Sequence, residues 1–196
     1  VVVVLAMAVP GYAGFDTLWN GGNGDWSDAS KWSNGEPDSS MDAGLRNGAT
    51  VSVTQTGEAA KWFVMDGNST INQTGGSLTI HDFYLGHSGA SGQRDATYNL
   101  SGGTLSVRDL RMGRENGATV ILNISGTGTL DDTGNLRMAW NGSTTVITRI
   151  TQSGGTATIG GTIQMSYDGG TSEYAISGGK LVASGIEVGR NNRYYR

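Results

Sequence analysis

The chain has 196 residues, with 33 glycines, two prolines, no cysteine, 15% charged residues and a formal net charge of −4. This length accommodates one domain with a sizeable core, and the lack of cysteine excludes disulfides and thiolate metal sites. The acidic balance argues against a nucleic-acid partner, since phosphate binding needs lysines and arginines that outweigh the acids. Abundant glycine with threonine, serine and asparagine is typical of many short strands joined by tight turns.

The first part of the chain has the pattern of an export signal. Residues 1–9 are apolar, and a Pro-Gly-Tyr-Ala sequence that ends at Ala13 follows them. This pattern is typical of the end of a secretory signal peptide, and the apolar run is too short to span a bilayer. No initiator methionine or basic segment precedes it. We therefore expect residues 1–13 to be a signal-peptide remnant of a longer product; a buried β-strand is the alternative.

Residues 14–48 form a segment rich in tryptophan, glycine, asparagine and aspartate. Three of the five tryptophans lie here: Trp19, Trp26 and Trp32. The open end of a repeat protein needs a cover, and large aromatic side chains in an irregular segment would provide one. We predict that this segment caps the first coil. The alternative is a sugar-stacking surface, which would make the segment a carbohydrate-binding module.

The remainder, residues 49–196, repeats a motif built around a glycine pair. The first glycine of each of the five copies is Gly75, Gly102, Gly126, Gly154 and Gly178. The intervals between them are 27, 24, 28 and 24 residues. Each copy supplies one strand before the glycines, an alternating stretch after them and a third strand after a bend. A recurrence of roughly 20–50 residues is the pattern of a solenoid.

The third strands of the copies align into two apolar columns. The first column contains Phe83, Leu110, Leu136, Ile163 and Ile186. The second contains Leu85, Met112, Met138, Met165 and Val188. One coil alone cannot bury such a face, so successive coils are expected to pair in parallel about 4.8 Å apart. The sequence thus predicts an all-β, right-handed parallel β-helix, or β-solenoid, of about five to six coils with about 23–28 residues and three short strands each.

Three polar residues occupy motif positions that are apolar and face inward in the other copies: Gln73, Gln152 and Asp132. Buried amides need hydrogen-bond partners, so we expect both glutamines to find them inside the coil. A buried carboxylate is unfavourable, so Asp132 is expected to have a shifted pKa or to mark a slip in the register.

The sequence from Leu18 to Pro37, with its Trp-Asn-Gly-Gly-Asn-Gly-Asp-Trp run, resembles the N-terminal segment of secreted bacterial autotransporter-type and PEP-CTERM-type β-strand-repeat proteins. The coils, with Ser-Gly-Gly-Thr-Leu followed by Leu-Arg-Met-Gly, are similar to the repeats of the same proteins. The resemblance implies a parallel β-helix passenger, secreted or displayed at the surface of a Gram-negative-type bacterium as an adhesin, matrix or envelope component. It implies no catalytic residues. Because the last copy stops in a bend after Gly189, we expect further coils and any anchoring segment beyond Arg196.

The main alternative is a polysaccharide-active lyase or hydrolase, which requires clustered carboxylates on one face. Asp131 and Asp132 are neighbours on a strand, so their side chains face opposite sides and cannot act together. His81 and His87 are too few for a zinc site without cysteine, and we predict that both lie solvated in a bend. No catalytic residue is predicted.

No cofactor is predicted either. Asp16, Asp25 and Asp28 could supply oxygen ligands for Ca²⁺, but they form neither an EF-hand loop nor a Gly-Gly-x-Gly-x-Asp repeat.

One outward strip of the third strands is a candidate contact surface. Its residues, here named the contact strip, are Tyr84, Asp109, Arg111, Asn135, Arg137 and Gln164. Stacked coils would bring Arg111 and Arg137 about 5 Å apart, so acids or an anion should lie between them. The strip is either a solvated face with local ion pairs or a contact surface for an acidic polysaccharide or another chain.

Together these features favour a non-catalytic structural or adhesive solenoid that is secreted or held at the cell surface. Its expected partners are an extracellular polysaccharide or another cell-surface protein. The chain itself is not expected to span a membrane.

Overall fold

The structure is a computed structural model that describes residues 14–87, 94–114, 117–140 and 145–189. Strands make up 65% of the described residues and wind into a parallel β-solenoid of about six turns. The predicted all-β, parallel solenoid is therefore confirmed, while its right-handedness stays a prediction. The signal-peptide remnant expected over residues 1–13 lies outside the described residues.

In the described ranges, twelve strands belong to one sheet that coils on itself. They are β1 (Thr17–Leu18), β2 (Gly24–Asp25), β3 (Asp42–Leu45), β4 (Thr50–Val53), β5 (Glu58–Met65), β6 (Ser69–Leu85), β7 (Ala96–Met112), β8 (Thr119–Ile124), β9 (Thr129–Asp132), β10 (Leu136–Met138), β11 (Ile147–Met165) and β12 (Thr171–Val188). A short 3-10 helix spans Ala29–Lys31. The long strands β6, β7, β11 and β12 each follow a coil through its bends, whereas β8, β9 and β10 are the three separate strands of one coil.

The predicted columns are formed by direct strand pairing. In the first column the paired residues are Phe83, Leu110, Leu136, Ile163 and Ile186, and Phe63 and Ala43 extend it toward the start of the chain. In the second column Leu85 pairs with Met112, Met112 with Met138, and Met165 with Val188. The pairing register of this column shifts after Met165, where the backbone N–H of Tyr167 donates to the Met138 carbonyl at 3.1 Å. The core thus lies along the axis inside the coils.

The second glycine of each complete pair occupies a sharp corner. Gly103, for example, has a φ of +73°, in the left-handed region that glycine tolerates. A Cβ at this position would lie 2.3 Å from the carbonyl oxygen of Gly75 in the preceding coil. Close approach of two backbones, together with the positive φ, explains why the motif repeats glycine here.

The inward glutamines have the internal partners that the sequence predicts. Gln73 Nε2 donates to the Thr104 carbonyl at 3.0 Å, and its Oε1 accepts from the Tyr98 hydroxyl at 2.6 Å. Gln152 is arranged in the same way, with its Oε1 accepting from Tyr174 at 2.7 Å. Burial raises the pKa of Tyr174 to about 12, so this hydroxyl keeps its proton and donates. Each glutamine thus links its coil to a tyrosine of the next.

An asparagine ladder stabilises the outer side of the first strands. Asn99 Nδ2 donates to Asn72 Oδ1 at 2.8 Å, and Asn123 Nδ2 donates to Asn99 Oδ1 at 2.8 Å. The three residues occupy the same position of successive copies, so each amide bonds to the amide one coil away.

The two ends of the described solenoid differ. Trp19, Trp26 and Trp32 are only 4%, 0% and 3% exposed, and the Trp26 ring lies 5.0 Å from those of Trp32 and Phe63. The segment of residues 14–48 also contributes β1, β2 and β3 to the sheet. This packing favours the capping role. At the other end, the inner face of β12 is open, with Ile186 61% exposed.

Candidate functional site

The structure brings the predicted contact strip together on one outer face. Tyr84 pairs with Arg111, Arg111 with Arg137 and Arg137 with Gln164, one residue from each of four successive coils. Asp109 lies beside these residues on the same face, because it is two positions before Arg111 on β7. The strip is therefore a continuous line along the solenoid axis.

Carboxylates separate the guanidinium groups of this line. Asp82 accepts from Arg111 at 3.0 Å and from Arg108 at 2.9 and 3.0 Å. Asp109 accepts from Arg111 at 3.3 Å and from Arg137 at 3.2 Å. The expectation that an acid lies between Arg111 and Arg137 is met by Asp109, while Asp82 links Arg111 to Arg108.

At the far end of the strip, the uncharged side chains of Asn135 and Gln164 form hydrogen bonds. Asn135 Oδ1 accepts from the backbone N–H of Thr162 at 2.9 Å and from its hydroxyl at 3.1 Å. Gln164 is only 5% exposed, and its Nε2 donates to Glu187 at 3.3 Å. The contact strip is consequently part-buried and internally bonded along much of its length.

Aromatic rings that the sequence analysis did not connect lie beside the strip. This aromatic patch consists of Trp62, Tyr84, His87 and Trp140. Tyr84 is central, with ring centroids 5.6 Å from Trp62, 4.9 Å from His87 and 5.8 Å from Trp140. The Arg111 guanidinium lies 4.8 Å from the Tyr84 centroid, a cation–π distance. The patch and the strip therefore meet at Tyr84 and Arg111.

His87 belongs to this patch, so the prediction that it is a solvated bend residue is wrong. It is half-buried, and its Nε2 accepts a hydrogen bond from Arg114 at 2.7 Å, since a guanidinium can only donate. Burial, together with the charges of Arg114, Arg46 and Arg111, lowers the pKa of His87 to about 4. The ring is thus neutral at physiological pH. His81, in contrast, has a side chain that is 51% exposed.

A groove runs along the adjacent corner of the solenoid, between the second and third strands of the coils. This corner groove has a volume of about 660 Å³. It is lined by Ser39, Ala60, Lys61, Thr79, Ile80, His81, Ser106, Val107, Arg108 and Thr133. Asp82 joins the groove to the strip, because it accepts from His81 and Arg108 on one side and Arg111 on the other. Burial alone would raise the pKa of Asp82, but these hydrogen bonds lower it below its usual value.

The aspartates weighed as calcium ligands bond to protein groups instead. Asp16 Oδ2 accepts from the backbone N–H of Asp42, Asp25 accepts from the Thr54 hydroxyl, and Asp28 accepts from Ser30 as the cap of the 3-10 helix. Across the described ranges, no three histidine, aspartate or glutamate side chains are grouped so that they could hold a metal ion.

A pair of glutamates near the cap was missed by sequence reasoning. Glu58, 4% exposed, forms a side-chain hydrogen bond with Glu36. Burial raises the pKa of Glu58 to about 8, with further contributions from the Glu36 bond and the nearby charge of Asp25. Glu58 thus keeps its proton at neutral pH. Direct contact leaves no room between them for a sugar linkage, which catalytic carboxyls flank from about 5 Å apart or more.

Asp132 lies inside the coil, in register with Val107 and Ile159. Its carboxylate accepts from the backbone N–H of Leu110 at 3.3 Å and of Gly134 at 3.0 Å. Burial nevertheless dominates and raises the pKa of Asp132 to about 6. Of the two expectations for this residue, the shifted pKa is confirmed, and the register at this point does not slip.

Asp132→Asn should change how stability depends on pH. Because the folded pKa lies above the unfolded value of 3.8, the wild type gains stability from this proton below pH 4 and loses it as pH rises through 6. We expect the unfolding free energy of the variant, relative to wild type, to rise by about 2.4 kcal/mol between pH 4 and pH 8. Urea unfolding at both pH values measures this. Asp131→Asn, at the exposed neighbour, is the control, and a flat difference for Asp132→Asn would contradict the assignment.

No family profile, curated protein or solved structure that was compared with the chain matches it. In the part of the chain that the structure describes, no helix has the length and apolar character needed to cross a membrane. The functional conclusion therefore depends on the geometry of the solenoid and its outer faces.

Proposed function

We propose that this chain is a stiff, non-catalytic segment of an exported protein and that it serves as a structural or adhesive rod outside the cell. The observation that carries this proposal is the pairing of equivalent residues from coil to coil, with the first apolar column linked at every step from Ala43 to Ile186. Such ladders lie along the axis and bury their apolar side, so bending the rod would break hydrogen bonds and packing together.

The outer surface supports the adhesive part of the proposal. Each coil contacts only its neighbours, so outward side chains are free to vary and to meet a partner. The contact strip and the aromatic patch combine arginine with half-buried rings, the residue types that are enriched where proteins bind their partners. An extracellular polysaccharide or another cell-surface protein is the proposed partner, in keeping with the resemblance to autotransporter-type and PEP-CTERM-type repeat proteins.

Export can be tested with the whole chain. An initiator methionine and two lysines placed before Val1 would complete a signal peptide, and expression in a Gram-negative host should then yield periplasmic protein cleaved after Ala13. Mass spectrometry of the mature N-terminus checks this. Ala13→Phe is the matched control, because a large residue at the cleavage site should block processing. Uncleaved wild-type protein in the cytoplasm would contradict the proposal.

The non-catalytic part is tested separately. The purified chain, incubated with a panel of plant and bacterial polysaccharides, should release neither reducing ends nor unsaturated products. Release by wild type that is lost in a site variant would establish the polysaccharide-active enzyme instead.

A further inference from the structure

The corner groove follows the axis of the solenoid. Apart from Ser39, which precedes β3, its lining residues come from β5, β6 and β7 and from Thr133, directly after β9. These strands pair side by side in parallel, β5 with β6, β6 with β7 and β7 with β9. A groove built from the same corner of four successive coils must therefore run along the stack. It can hold an extended chain that lies parallel to the axis.

One edge of the groove presents a basic side chain from each of three successive coils. Lys61, His81 and Arg108 follow the paired residues of β5, β6 and β7, and their side chains are 58%, 51% and 50% exposed. Their carboxylate partners lie deeper, with Asp42 26% and Asp82 20% exposed. The acids therefore hold the cationic side chains in position while their ends reach solvent.

The opposite edge suits a sugar. Thr79, Ser106 and Thr133 supply hydroxyl groups. Ala60, Ile80 and Val107 lie between the two edges but are at most 3% exposed, so their side chains belong to the core and not to the groove surface. A pyranose ring carries several hydroxyl groups, so it can form hydrogen bonds with this row of threonine and serine side chains. The volume of about 660 Å³ is in the range of ordinary ligand sites.

We propose that the corner groove binds an acidic polysaccharide of the polyuronate class, extended along the axis with about one sugar unit for each coil. The coils repeat every ~4.8 Å, close to the length of one pyranose unit, so sugars two units apart would bring their carboxylates to Lys61 and Arg108, which lie two coils apart. An extended peptide fits less well, since its same-side residues repeat at ~6.6 Å. Access to such a polymer rests on the proposed display outside the cell, but binding itself can be measured with purified protein.

The experiment measures affinity for polygalacturonate and alginate by titration calorimetry, with dextran and poly-glutamate as neutral and peptide comparisons. We expect the Lys61→Gln/Arg108→Gln double variant to bind at least about tenfold more weakly, because two charge contacts are lost. Ser106→Trp should also abolish binding by filling the groove while leaving its cations in place. Asp131→Asn should strengthen binding, because Asp131 pairs with Ser106 and adds a negative charge at that edge.

Arg149→Gln is the matched control, since Arg149 is an exposed cation on the first strand of another coil, where it forms an ion pair with Glu173 at 2.7 Å. It should leave the affinity unchanged. Equal binding of poly-glutamate, full binding by Ser106→Trp, or no binding of either polyuronate by wild type would each overturn the proposal. Because these measurements do not depend on export, failure of this proposal and failure of the proposed function are distinguishable.

Discussion

Replacing Trp26 with alanine should lower the free energy of unfolding by about 3–5 kcal/mol. The Trp26 side chain is fully buried, and its ring packs at 5.0 Å against both Trp32 and Phe63. Its removal would leave a cavity where the cap meets the first coils, and the surrounding rings could collapse into it only in part. Urea unfolding followed by tryptophan fluorescence and circular dichroism measures the loss.

Trp140→Ala makes the same chemical change in the aromatic patch, where the side chain is half-buried. We expect it to reduce the unfolding free energy by less, about 1–2 kcal/mol, because fewer contacts are lost. If Trp26→Ala folds with wild-type stability but loses binding to a glycan, the capping interpretation is wrong and the carbohydrate-binding module gains support.

Much of the fold could be predicted because the same short-range rules act in every copy. Strand alternation separates Leu110 and Met112, which face inward, from Arg111, which faces outward, and the repeat carries this assignment from coil to coil. The buried positions of Gln73 and Asp132 followed from the same register. A single copy would have been ambiguous, since a short apolar strand can belong to many folds.

The aromatic patch could not be predicted in this way. His87 and Trp140 follow the third strands, in stretches that vary between copies, and Trp62 lies in the least regular copy. Their meeting at Tyr84 depends on where each chain segment turns after its strand, which the repeat does not specify. The register did predict one part of the patch. Trp62 aligns with Asp82, whose side chain faces outward, so the Trp62 ring lies on the same outer face as Tyr84.

The glutamate pair was hidden for a different reason. Glu36 belongs to the irregular N-terminal segment and Glu58 to the start of β5, so no periodicity relates them. The raised pKa of Glu58 is a consequence of burial and of its proximity to Glu36 in the folded chain. The asparagine ladder is easier to predict from the sequence. Asn72, Asn99 and Asn123 occupy one position of the motif, so stacking of the coils brings their amides together.

Gly103→Ala is expected to destabilise the solenoid by roughly 3–5 kcal/mol. Two effects add at this corner. The residue has a φ of +73°, which disfavours any side chain, and the new Cβ would meet the carbonyl oxygens of Gly75 and Gly76 at 2.3 and 2.4 Å. These atoms belong to the backbone of the preceding coil, so they cannot rotate away as a side chain would.

Gly57→Ala separates the two effects. Gly57 also has a positive φ, +93°, but a Cβ there would have no atom within 4 Å. This control should lose only about 1 kcal/mol, the cost of the backbone conformation. Chemical unfolding of both variants gives the difference, which measures the close approach of one coil to the next. Similar losses of unfolding free energy for Gly57→Ala and Gly103→Ala would mean that the corners require glycine only for its positive φ. The coils would then have room to separate at these corners.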